Sequence, residues 1–349
     1  MNMLQLAREQ AGRLILQAWT AAVSDDAVTG PIPLLPAAEP SADPVRGDLS
    51  SPFCLAAAGP AGLPAPTLAR MLVRYMDCRD TCFTQVEAAG PGYLNFRLSD
   101  AWYAHALRAM SETAMRRASA SAADAAPLPV LREAEWADAL RRRFLGQALA
   151  NILDRTGDAF VCIPDEDHYV NREAAGSGTS RILQGGTPVT TPPAVDTLPS
   201  DALRFLLCVR LDRDVSVDLD LARRQDAANP YYRVRYVRDR IVRLLERCAR
   251  EGRCVPDPAQ TDLPAPHGDG ERALIRLLCR WDDVVSRAAR TADPGLLSEW
   301  LTNLADSWWD LRRALLPADP ASADPTPLLL SHAVRLVLED GLSLLGIAL

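Results

Sequence analysis

The 349-residue sequence contains no lysine: each of its 38 basic residues is arginine. GC-rich codon usage accounts for this, as it does for the abundance of Ala, Pro, Asp and Arg, but the chemical consequence is independent of the origin. No step that requires a lysine ammonium can take place on this chain. Long apolar runs are missing too. The opening MNMLQLAREQAGRLILQAW breaks its apolar residues with Gln, Arg and Glu at helical spacing, which reads as an amphipathic helix rather than a signal peptide. A cytoplasmic protein with no membrane partner is therefore expected. Metal-ligand spacing is also lacking. Of the eight cysteines (Cys54, Cys78, Cys82, Cys162, Cys208, Cys248, Cys254, Cys279), Cys78 and Cys82 stand four apart on an expected helix, without a CxxC or a His pair. All eight read as small, mostly buried hydrophobes, and neither metal nor cofactor is expected.

What is present is enough for two domains: 48% of the residues are hydrophobic. The net charge of −7 argues against affinity for nucleic acid over the whole surface and leaves room for a local basic face. Pro-rich stretches at 31–44, 188–199, 256–266 and 317–327 separate the blocks. The first block, to about Met115, begins with the amphipathic helix. It includes a second helix near Ala69 to Met76, and ends with a strand, Tyr93 to Leu98, and a helix from Asp100. Alternation along that strand places Leu94, Phe96 and Leu98 on one face and Tyr93, Asn95 and Arg97 on the other. The polar face either binds a partner or simply meets water. The middle block predicts one helix, about Glu133 to Arg155, a short strand at Ala159 to Ile163, and loop around GSG, QGG and TPPAVDTLP. That is too little chain for a doubly wound nucleotide-binding domain. Among its polar residues His168, Asp165 and Asp167 form no catalytic constellation. Helices are expected in the last block at Asp201 to Leu211, Ala227 to Glu251, Glu271 to Thr291, Pro294 to Leu316 and Leu328 to Leu345, packed as a bundle.

The helix over Ala227 to Glu251 carries the clearest chemistry. Projected at helical pitch, Val234, Val237, Ile241, Leu244, Leu245 and Cys248 share one sector, and Arg233, Tyr236, Arg240, Arg243, Arg247 and Arg250 share another. Between Arg223 and Arg253 there are ten arginines against Asp226, Asp239, Glu246 and Glu251. Guanidinium groups fork onto phosphate and stack on bases, and tyrosine offers a stacking plane, a combination suited to RNA with splayed bases. The competing reading is a solvated face tied by salt bridges to the acidic run Asp212 to Asp220.

Three blocks, AAGPGYLNFRLS at Ala88 to Ser99, DALRF at Asp201 to Phe205 and NPYYRVRYVRDRI at Asn229 to Ile241, resemble in this order the tRNA-holding parts of arginyl-tRNA synthetases. Gly47-Asp48 and GLSLLGI at Gly341 to Ile347 extend the resemblance. It implies a mainly α chain with a small N-terminal α+β domain (residues 1–125), a collapsed remnant of the nucleotide-binding domain (126–199) and a DALR-type anticodon-binding helix bundle (200–349). By that resemblance Asn95 and Phe96, with Tyr93 and Arg97 beside them, belong to a reader of the tRNA D-loop corner. Tyr232 and Tyr236, with the arginine stripe, belong to the anticodon reader.

The departures concern chemistry. The family carries an H-x-G-H signature and a lysine-bearing loop that stabilises the transferring phosphate. Here Trp136-Ala137-Asp138 precedes the matching helix, ALRRRFLGQALANIL, and GGTPVTTPPAVDTLPS stands at the loop. Losing this preorganised positive charge removes the main source of catalysis in such a reaction. By the resemblance, family members continue past LLGI into a short tail against the anticodon loop, whereas this sequence ends at Ala348-Leu349, which leaves anticodon selectivity open. The expected function is non-catalytic binding of tRNA, tRNA-Arg first, as regulator, chaperone or adaptor for a modifying enzyme. The alternative is a protein module that docks on a synthetase or another partner without RNA.

Overall fold

The computed structural model describes residues 3–41, 46–118, 136–157, 180–189, 198–208, 214–261, 263–315 and 324–348. The chain divides into two compact units, Met1–Ala109 with Asp262–Cys279, and Met110–Thr261 with Arg280–Leu349. The expected strand at Ala159 to Ile163, together with Cys162, Asp165, Asp167 and His168, lies outside the described residues.

In the first unit α1 (Met3–Ser24) buries Leu4, Ala7, Ala11, Leu14, Ile15, Ala18, Trp19 and Ala22, the three-and-four spacing of an amphipathic helix. The four-stranded antiparallel sheet has the order β1 (Glu39–Pro40), β2 (Leu49–Ser51), β4 (Tyr93–Leu98), β3 (Phe83–Ala89), with Leu49 opposite Phe96 and Ala88 opposite Leu94. Two helices, α2 (Phe53–Ala61) and α3 (Ala65–Tyr75), join β2 to β3, and α4 (Asp100–Ala118) follows β4. Cys78 and Cys82 do not sit on a helix as expected. Helix α3 ends at Tyr75, and the two cysteines flank a turn closed by Thr81 N donating to the Cys78 carbonyl. Burial pushes the Cys82 thiol up to about 12. Cys54, Cys208, Cys248 and Cys279 are buried, and Cys254 is exposed.

The glycine before Tyr93 has a steric reason. Gly92 has φ +135°, and a Cβ there would stand 2.7 Å from the Cβ of Ala65, the first residue of α3. The β3–β4 turn thus touches the start of a helix, which only glycine permits. Gly92→Ala is expected to destabilise the first unit by about 1–3 kcal/mol through backbone strain and overpacking. A lower urea midpoint for that unit would show it.

A buried carboxylate organises the same unit. Asp48, 7% exposed, accepts from Leu98 N at 2.7 Å and from the Tyr103 hydroxyl at 2.7 Å. It also pairs with Arg276 of α9 (Asp269–Cys279), whose Nη1 donates to the Tyr103 oxygen at 2.7 Å. Arg272, one turn earlier, pairs with Asp100 at 2.8 Å. Burial raises the Tyr103 pKa, as does the neighbouring Asp48 charge. The single helix expected over Glu271 to Thr291 is therefore two, α9 and α10 (Trp281–Thr291), broken at Arg280 because α9 packs with the first unit.

The second unit is the helix bundle. Helix α8 (Pro230–Arg250) packs against α11 (Gly295–Leu315) and α12 (Thr326–Leu344), and α5 (Trp136–Thr156) against α10 and α6 (Ser200–Leu207). Helix α12 is buried on nearly every side. It approaches α11 at Gly341, where a Cβ would stand 2.5 Å from the Leu301 side chain. Helix α6 ends at Leu207 with Cys208 as its cap, and the expected end at Leu211 lies outside the described residues. The QGG stretch, expected as loop, is a tight turn. Gly185 and Gly186, with φ +57° and +78°, join β5 (Ser180–Gln184) to β6 (Thr187–Pro188). β5 also pairs in parallel with β7 (Val215–Asp218), and the short α7 (Leu219–Arg223) follows. Alternating short strands of two and four residues leave little periodic signal to read.

Candidate nucleic-acid interface

The DALRF and NPYY blocks meet at one place in the second unit. Asn229 caps α8: its Oδ1 accepts from Tyr231 N at 3.1 Å, and its Nδ2 donates to the Ala222 and Arg224 carbonyls at 3.0 Å each. Pro230 occupies the first helical position, where no N–H is needed. This fixes the first turn and with it two tyrosines. Tyr231 is buried 6.0 Å from the Phe205 ring with its hydroxyl 3.4 Å from Asp201, and burial, then the Asp201 charge, pushes its pKa up to about 12. Arg204 of the same block is 3% exposed, 4.5 Å above the Phe144 ring, and burial lowers its pKa. These motif residues hold α6 to both α5 and α8.

Tyr232 faces the other way and begins a ladder. Its ring stacks on Tyr236 at 5.8 Å and 28°, and Tyr236 meets the Trp309 ring of α11 edge-on at 5.4 Å. Arg312 lies 3.7 Å above the Trp309 ring. Tyr236 is 38% exposed and so remains accessible to a partner. Two clefts flank the ladder and share Arg240 and Arg243. One, of about 720 Å³, includes Asp201, Arg223, Arg224, Tyr232 and Arg235; the other, of about 230 Å³, includes Arg247, Arg250 and Arg312. The surface they form is a basic groove with aromatic walls.

The stripe divides on inspection. Arg240, Arg243, Arg247 and Arg250 are exposed. Arg247 stands 4.0 Å from Glu251, and Arg250 Nε reaches the Glu246 carbonyl at 3.4 Å. Arg233 is engaged elsewhere: it pairs with Asp306 of α11 at 3.1 Å and holds the two helices together. In the acidic run, Asp220 stands 4.0 Å from Arg223 and accepts from Gly185 N at 3.1 Å. Asp212 lies outside the described residues. Trp309 and Arg312 were not singled out in the sequence. They sit on a different helix, and the only signal was the tandem Trp308-Trp309 followed by Arg312-Arg313.

In the first unit the strand offers less than expected. Tyr93 is 37% exposed and Arg97 is exposed, but Phe96 is fully buried against Phe83 at 5.1 Å. Asn95, 6% exposed, accepts from the Ser50 hydroxyl at 2.8 Å. Ser50 of β2 stands opposite Asn95, and its side chain ties Asn95 into the sheet. Asn95 and Phe96 are thus buried in the sheet, whereas Tyr93 and Arg97 are exposed on it.

At the start of α5, Trp136 is 3% exposed and donates its indole N–H to the Val189 carbonyl at 3.0 Å. Asp138 accepts from Ser180 N at 2.7 Å, and Arg141, 1% exposed, donates to the Ser180 hydroxyl at 3.2 Å. Among the described residues no group of three His, Cys, Asp or Glu side chains could hold a metal ion, and no helix is long and apolar enough to cross a membrane.

An α+β unit followed by a helix bundle with this groove has the build of a chain that carries an appended N-terminal domain and a DALR-type bundle. Residues 14–98 match the family described as arginyl tRNA synthetase N terminal domain, and residues 234–349 match the DALR anticodon binding domain. Two stretches of the chain are thus similar to domains of arginyl-tRNA synthetases. Similar curated relatives include arginine–tRNA ligases of Syntrophotalea carbinolica (31% identical over 51% of this chain and 33% of that protein) and Nitratidesulfovibrio vulgaris (32% identical over 58% and 37%). The chain thus spans about a third of the length of the relatives it matches, 33% in the first case. The Thermus thermophilus arginyl-tRNA synthetase structure is similar with TM-score 0.54 and 13% identity, covering 97% of this chain and 99% of that one. The Plasmodium falciparum enzyme gives TM-score 0.58 and 8% identity, covering 97% and 98%. Identities this low speak to the fold alone.

Proposed function

We propose that this chain binds tRNA, tRNA-Arg before others, and does not charge it, serving as a regulator, chaperone or adaptor for a tRNA-modifying enzyme. The observation that carries the reading is the open aromatic and arginine groove between α8 and α11, on the segment that matches an anticodon-binding domain. Stacking rings and exposed guanidinium groups suit unstacked bases and their phosphates. Tyr93 and Arg97 of the first unit supply the D-loop contact in this reading. The non-catalytic half rests on three features: the missing lysine, the missing signature histidines, and the buried Trp136 in their place. A cytoplasmic setting goes with this role.

Filter binding across a tRNA panel tests it. Contacts from Arg240, Arg243, Arg247, Arg250 and Arg312 should give a slope of log affinity against log salt of about −3.5 to −4.5. Equal failure on every tRNA at low salt overturns the reading. If a pull-down then stays intact after RNase and yields no RNA, the chain is a protein-docking module. ATP–pyrophosphate exchange with arginine should stay at the buffer level, and clear exchange overturns the non-catalytic half.

A further inference from the structure

The smaller cleft beside the ladder is unlike the rest of the groove. It is lined by Arg240, Arg243, Arg247, Arg250 and Arg312 with Leu244, Trp308 and Trp309, and no carboxylate is among them. At about 230 Å³ it admits a nucleoside-sized group and not a paired stem. Its aromatic wall is the Trp309 ring, backed by Trp308, whose indole N–H is held by the Ser331 hydroxyl at 3.1 Å. The wall is not open, however. The Arg312 guanidinium covers the ring at 3.7 Å and also donates to the Trp309 carbonyl, so the side chain is held over its own helix.

We infer that this cleft is a subsite for one unstacked nucleotide and that Arg312 is its gate. The inference rests on the reading that the groove takes RNA, and adds which group enters and how. A cation over an aromatic face is held weakly, whereas a charge-assisted bond to phosphate is stronger. A phosphate entering among the four arginines of α8 draws Arg312 off the ring. The freed face then receives the base attached to that phosphate. A neutral nucleoside cannot open the gate, because it offers nothing that the guanidinium prefers to the indole.

The test compares adenosine with AMP on the full chain, reading Trp309 as the fluorescence difference between the wild type and Trp309→Phe. AMP should quench that signal in the wild type, and adenosine should not. In Arg312→Ala both should quench, and the preference of AMP over adenosine should fall at least about fivefold. Equal quenching by adenosine in the wild type and Arg312→Ala overturns the gate, and no Trp309-dependent response to AMP overturns the subsite. A positive AMP response with no tRNA binding would sink the tRNA reading alone. Bound tRNA whose affinity ignores both Trp309→Phe and Arg312→Ala would sink the subsite alone.

Discussion

Arg243→Glu combined with Arg247→Glu is expected to lower affinity for every RNA alike, by on the order of 100-fold at low salt. Both residues are exposed on α8, and each lines the smaller cleft. Neither takes part in the packing of α8, which rests on Val234, Val237, Ile241, Leu244 and Cys248. The fold should therefore survive, and the loss should be electrostatic. A hydrogen bond to a charged group contributes about 1.5–3 kcal/mol, so two lost contacts account for the factor without any appeal to added repulsion. Phosphate contacts carry no sequence information, which is why the panel should shift as one. The salt slope should become shallower by about 1.4–1.8. Loss confined to one tRNA, with the slope unchanged, would mean that these arginines read bases or shape instead.

Asp48→Ala is expected to destabilise the first unit by about 3–5 kcal/mol, the cost of breaking a buried ion pair from one side. The substitution removes the acceptor for Leu98 N and the Tyr103 hydroxyl and leaves the Arg276 guanidinium without its carboxylate. Asp48→Asn, which keeps an acceptor and loses the charge, should fall between. Hydrogen exchange resolves the effect: amides of β4 should lose protection while those of α12 keep theirs. Loss of protection in both would mean that the carboxylate supports more than its own unit.

Long helices with regular apolar spacing were legible in the sequence. The amphipathic α1, the stripe on α8 and the pair α11 and α12 came out within a few residues of their observed ends. The elements that escaped are short or depend on partners far away in the chain. β1 and β6 have two residues each and no periodicity of their own. The break at Arg280 follows from where α9 packs, and a window of sequence spanning Glu271 to Thr291 does not contain that information. At the candidate site, the arginines of α8 could be placed because they share one helix. Trp309 and Arg312 could not, because their position beside Tyr236 is set by how α11 packs on α8. Alternation in β4 puts Asn95 with the open residues, but the Ser50 hydroxyl of β2 ties it down and it is buried.

The indole at position 136 is tied in as well as packed. Its N–H satisfies the Val189 carbonyl while its rings are closed off from solvent, so a smaller residue there would leave a hole and an orphaned acceptor at once.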